Sequence, residues 1–129
     1  MVQVYVAVPT MFDWLTTVFG PSIAIFKHPD PAGLPLFTEP GSTSTRSYPQ
    51  LPVANVIDAV DAISNENASA FKRLPAALDA GFTFCSGTYV KESVRRKVKT
   101  TLNGRRVLQD TNNSTLDFEV LKTPTPKSW

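Results

Sequence analysis

The sequence predicts a single, mainly β domain with one or two short helices, and three observations carry the prediction. Val2, Val4, Val6 and Val8 alternate with Gln3, Tyr5 and Ala7, the period of two that suits a strand, and Pro9 stops it. Asn103-Gly104 sits between two β-prone runs, and both residues accept the positive φ of a tight hairpin turn. Eleven prolines in 129 residues, several in settings such as HPDPAGLP and KTPTP, fix φ and remove donors, which favours short elements joined by long connections.

After the first strand, Thr10 with Asp13 resembles an N-cap with an acidic first turn. Phe12, Leu15 and Phe19 recur at helical spacing before Gly20-Pro21, so a short helix is expected there. Ser22 to His28 has the β-branched and aromatic content of a second strand, and PDPAG turns the chain toward a brief third one at Leu34 to Phe37. Thr38 to Gln50, rich in Gly, Ser, Thr and Pro, is expected to be a polar loop.

Val53 to Ile63 admits two assignments. Val53, Val56, Ile57, Val60 and Ile63 match a helical face, while the Val and Ile content suits a buried strand. Ser64 onward is a polar connection leading through Pro75 into a short helical turn ended by Gly81. FTFCSGTYV and the hairpin VRRKVKTTLNGRRVLQD form the clearest β region, and the two-residue turn places Leu102 opposite Arg105 and Thr100 opposite Val107. A last strand from Leu116 to Lys122 alternates Leu116, Phe118 and Val120 against Asp117, Glu119 and Leu121, so one face should be buried, and residues 123–129 form a Pro-rich tail behind a single domain over residues 1–122.

Composition bounds the function classes. At 42% hydrophobic and 19% charged, with a formal net charge of +2, the chain is neither a disordered polyampholyte nor globally suited to nucleic acid. The lone Cys85 excludes an internal disulfide and a Cys-rich zinc site. No apolar run is long enough for a transmembrane helix, and the N-terminus lacks a secretory signal; an opening that reads at once as a strand suggests a piece of something longer.

Seven of the thirteen Lys and Arg residues fall between Lys91 and Arg106. Arg95, Arg96, Lys97, Lys99, Arg105 and Arg106 are therefore the partner-binding candidates, able to meet acidic proteins, phosphates or anionic lipid, or else to form a solvated face that guards an edge strand. No aromatic residues interleave with the run to stack on bases, so nucleic acid is not expected. Asp110, Asn112 and Asp117, with Ser114 and Glu119, supply oxygens for a hard cation such as Ca²⁺. The EF-hand spacing fails for want of its central glycine, however, and Asp and Asn at turns bond their own backbone.

Catalytic constellations are weak. His28 and Cys85 could make a thiolate–imidazole pair, but each reads as an ordinary turn or strand residue; Asp58 and Asp61 could serve as paired carboxylates, but no supporting group can be named. There is no glycine-rich phosphate loop, HExxH helix or G-x-S-x-G elbow, so no enzyme and no cofactor are expected. Asn67-Ala-Ser69, Asn112-Asn-Ser114 and Asn113-Ser-Thr115 match the glycosylation acceptor, a pattern short enough to arise by chance.

GPSIAIFK, the V-I-D-A-V run within Asn55 to Val60, the Ser93 to Arg96 segment, Asp110 to Phe118 and Pro124 to Pro126 together resemble a lamin-tail domain, an immunoglobulin-like β-sandwich found on bacterial secreted and surface proteins. The order LPVANVIDAV, LDAGFTFC, ESVRRKV, NGRRVLQDTNNSTLDFE is similar to the end of an uncharacterised group of bacterial surface lipoproteins. The likeness runs from Gly20 to Pro126 and implies that Val53 to Val60 is a strand, that the opening strands of the domain are missing, and that the chain is the C-terminal portion of a larger protein. It further implies a non-enzymatic structural or protein-interaction module at the cell surface or outer membrane, whose partners are other protein subunits. A metal- or glycan-binding accessory domain and a structural subunit of a phage particle are the alternatives.

Overall fold

The structure is a computed structural model that describes residues 2–3, 22–38, 41, 43, 45, 47–87 and 89–125. It is mainly β, as expected, and consistent with a β-sandwich-like fold. Its strands are β1 (Val2–Gln3), β2 (Ser22–Phe26), β3 (Leu36–Thr38), β4 (Ser47–Leu51), β5 (Val56–Ile63), β6 (Thr83–Phe84), β7 (Ser93–Arg96), β8 (Val98–Leu102), β9 (Arg105–Leu108) and β10 (Phe118–Leu121). The expected helix at residues 10–19, and the rest of the expected first strand beyond Gln3, lie outside the described residues. Among the described residues, no helix is long and apolar enough to cross a membrane.

Two compact units are distinguished, one of residues 1–15 and 25–57, the other of residues 16–24 and 58–129. In the first, β4 lies between β1 and β3 and is antiparallel to both, with Gln50 opposite Gln3 and Tyr48 opposite Phe37. Leu51 and Leu34 are buried there. β4 corrects the expectation of an uninterrupted polar loop from Thr38 to Gln50: Pro49, which reads as a breaker, is accommodated opposite Leu36. The turn after β2 is tied by its own side chains. His28 Nδ1 accepts from the Asp30 amide at 3.2 Å, and Asp30 accepts from the Gly33 amide at 3.1 Å.

β5 settles the ambiguous segment. Val56–Ile63 is a strand, so the strand that the resemblance placed at Val53 to Val60 begins three residues later, after a 3-10 turn at Val53–Asn55. Ala59, Asp61 and Ile63 are buried while the residues between them are less so, the period of two rather than the helical spacing of the valines. β2, β5 and β6 form one sheet in that order, with β6 parallel to β5 and Thr83 opposite Ala62.

In the second unit the apolar core is small: Ala59, Ile63, Ala68 and Leu74. Buried beside them are Asp61, Asp79, Thr83, Ser114 and Asp117. The Ser64–Phe71 connection contains a 3-10 helix, Glu66–Phe71, started by Asn65, whose side chain accepts from the Asn67 amide. Pro75 to Asp79 makes a single hydrogen-bonded turn.

The C-terminal strand begins later than expected. Ser114–Asp117 is one helical turn, α1, capped by the Asn113 side chain, and only Phe118–Leu121 pairs with β7. The burial also departs from simple alternation, Phe118 and Glu119 being alike half-buried. Leu116 and Val120 of the expected inward face are 53% and 42% exposed, whereas Asp117 is 2% exposed.

Candidate functional site

The buried carboxylates show first what the acidic residues do. Asp61 accepts from the Ser22 hydroxyl, from the Leu74 amide at 2.9 Å and from Lys72 Nζ at 3.1 Å. The Lys72 ammonium is completed by the Leu74 and Asp79 carbonyls at 2.7 and 2.6 Å. Asp79 in turn accepts from the amides of Asp61, Gly81 and Ser114 and from the Ser114 hydroxyl. Buried charge is tolerable only when paired and hydrogen-bonded, and among the described residues no buried side-chain polar atom lacks a partner.

The Asp110–Asp117 segment is fixed against the 79–82 loop by this network. The Ala80 amide donates to the Asn112 carbonyl at 2.7 Å, and the Thr115 hydroxyl bridges the Phe82 amide and carbonyl. Gly81 is required by this close approach, because a Cβ there would stand 2.2 Å from Asn113 Oδ1. Its reason for being glycine is thus a tertiary contact and not the end of a helical turn.

The calcium candidates are engaged by the turn they form. Asp117 accepts from the Thr111 amide and hydroxyl and from the Asn113 amide; burial opposes its charge, yet those bonds hold its carboxyl below the ordinary value. Asp110 accepts from the Asn112 amide and faces Arg96 at 3.5 Å, while Asn112 takes a left-handed φ of 54° in the turn. Among the described residues, no group of three or more His, Cys, Asp or Glu stands where it could hold a metal ion. Asp58 and Asp61 part company too, Asp58 pairing with Arg96 and Asp61 with Lys72. Burial and the Glu92 charge push the Cys85 thiol up, away from thiolate chemistry.

The basic run divides into a root and a tip. At the root, Arg96 is 14% exposed; it donates to Asp58 at 2.6 Å and to the Gln109 carbonyl at 3.1 Å, and lies 4.9 Å over the Phe118 ring. Arg95 holds the cross-strand Glu119 through two nitrogens. Lys97 Nζ donates to the Leu116 carbonyl at 2.7 Å, and the Gln109 amide donates to the Lys97 carbonyl, clamping the two ends of the β8–β9 hairpin together.

Beyond that clamp the hairpin has the expected register, Leu102 opposite Arg105 and Thr100 opposite Val107, with a bulge between Val98 and Thr100. Asn103 and Gly104 take φ of 50° and 75°, as the turn demands. Among the described residues β8 and β9 pair only with each other, and every residue of both strands is exposed. Among the described residues, nothing pairs with the side chains of Lys99, Arg105 or Arg106. The exposed aliphatics Val98, Leu102, Val107 and Leu108 accompany them, a feature that strand patterning conceals because it predicts one buried face. Tyr89, fully exposed in a left-handed conformation of the 85–92 loop, is a second feature that the sequence does not announce.

A comparison with curated proteins gives no match. Among solved structures, the chain is similar to a crystal structure of a DUF4876 family protein from Bacteroides thetaiotaomicron VPI-5482, at 33% identity and a TM-score of 0.73. The match covers 88% of this chain and 33% of that one, so the chain spans about a third of that protein's length. Residues 1–125 match the family described as a protein of unknown function, DUF4876. The chain belongs to the DUF4876 family.

Proposed function

We propose that the chain is a non-enzymatic, protein-interaction module of a bacterial surface or outer-membrane-associated protein, and that the tip of the β8–β9 hairpin is what it offers to its partner. The observation that carries this is the exposure of both hairpin strands together with the side chains of Lys99, Arg105 and Arg106, which have no partner among the described residues. A two-stranded ribbon is marginal by itself in water, and exposed aliphatics among unpaired cations suit a contact surface better than a solvated face. The surface setting rests on the resemblance to lamin-tail domains of bacterial surface lipoproteins, and the bacterial origin of the similar structure supports it.

The test uses the full-length protein in cells that produce it natively, with mild crosslinking followed by sedimentation. Lys99→Glu, Arg105→Glu and Arg106→Glu combined should cut the recovered complex at least tenfold while leaving the circular dichroism spectrum unchanged. A complex recovered in the same yield and with the same salt dependence would sink the proposal.

A further inference from the structure

We infer, resting on the interaction-module proposal, that the partner is a protein with an acidic cleft that closes on both faces of the β8–β9 hairpin. Residues directly opposite in an antiparallel pair share a face. One face therefore carries Thr100, Leu102, Arg105 and Val107, and the other carries Val98, Thr101, Arg106 and Leu108. Each face thus presents two aliphatic side chains and one arginine. Leu102 and Val107 are 60% and 36% exposed, and Val98 and Leu108 are 44% and 40% exposed, so neither face is packed. A flat surface would cover one pair and leave the other in water, whereas a cleft takes up both.

Charge selects the occupant. From Val98 to Gln109 the chain carries Lys99, Arg105 and Arg106 and no acidic residue. A second copy docking hairpin on hairpin would oppose like charges. An anionic bilayer would attract the cations but, lying against one side, would bury only one aliphatic pair. Carboxylates on both walls of a protein cleft meet Arg105 on one face and Arg106 on the other, in the bidentate geometry that guanidinium favours.

A photo-crosslinking residue placed at Leu102 or at Leu108, one at a time, in the full-length protein in its native cells reads the two faces separately. Both positions should give an adduct with the same polypeptide, at yields at least tenfold above the same probe at Lys122, outside the hairpin. Arg105→Glu with Arg106→Glu should remove both adducts, and lysines at the crosslinked carboxylates of that polypeptide should restore them. Adducts from one face alone, or to a second copy in place of a different protein, would overturn the cleft while leaving the interaction module intact, whereas adducts to phospholipid in place of any protein would overturn both. No adduct from either face would overturn both.

Discussion

Ser114 grips Asp79 twice, its amide donating to one carboxylate oxygen at 2.8 Å and its hydroxyl to the other at 2.5 Å. Asp79 is 1% exposed and also accepts the Asp61 and Gly81 amides, so a single carboxylate ties β5, the 79–82 loop and α1 together. Asp79→Ala leaves four buried donors without an acceptor, each costing about 1–3 kcal/mol. The expected loss is at least about 3 kcal/mol, seen as a thermal midpoint lowered by roughly 10 °C. Ser114→Ala removes one donor, and its loss should be about 1 kcal/mol.

Acid should act through Asp117 and Glu92. Lys122 and the Ser86 amide bring the Glu92 carboxyl from 4.5 to about 2, and Asp117 is likewise held below its ordinary 3.8. A carboxylate depressed in the folded state contributes its full stability above the unfolded value and loses it as pH falls through the folded value. Stability should therefore be level near neutrality and fall from about pH 4.5 toward pH 2, measured by denaturant titration at each pH. Asp117→Asn, which sets an amide against the Thr111 and Asn113 donors, should cost about 1–3 kcal/mol at pH 7 and give a shallower acid slope. A variant as acid-sensitive as the parent would refute this role for Asp117.

The hairpin register was legible because it is decided locally: Asn103-Gly104 admits one tight turn, and the pairing follows from it. Other elements are decided at a distance. Val53 to Ile63 carries a helical spacing of apolar residues, yet Val56–Ile63 within it is a strand, because Asp61 occupies an inward position that partners at Ser22, Lys72, Arg73 and Leu74 make tenable. Asp117 is hidden in the same way. Its inward placement depends on a turn at Thr111–Asn113, so the alternation of Leu116, Phe118 and Val120 points to the wrong face. In β4, Pro49 and its polar neighbours read as loop while their pairing with Leu36 and Phe37 belongs to the sheet. For the basic run, the charge was visible, but its division into root and tip depends on Asp58, Gln109 and Phe118, distant in sequence from Arg96.

That division predicts opposite phenotypes for neighbouring cations. Arg96→Glu would set a carboxylate against Asp58 and Asp110 and remove the bond to Gln109, and should destabilise the protein by about 3 kcal/mol or more. Arg106→Glu, with both strands of its hairpin exposed, should change stability by less than about 0.5 kcal/mol. Thermal melts of the two variants side by side decide it, and equal losses would contradict the root-and-tip division. Arg95→Ala belongs between them, since the Arg95–Glu119 pair is half-buried and open to solvent screening, worth about 1 kcal/mol at most.

The turn offers a way to loosen the tip without touching the root. Gly104 holds φ at 75° with nothing within 4 Å of where a Cβ would stand, so a larger residue meets backbone strain and no clash. Gly104→Val should cost about 1–2 kcal/mol of hairpin stability, because a β-branched residue is poorly suited to that conformation. The clamp of Lys97, Gln109 and Leu116 is untouched by the substitution. Amide exchange in Thr100–Val107 should therefore quicken by roughly tenfold, while exchange at Leu74 and Ser114, inside the Asp61–Asp79 network, stays as it was. Faster exchange at both places would mean that the hairpin and the network unfold together, against the independence that their separate hydrogen-bonding implies.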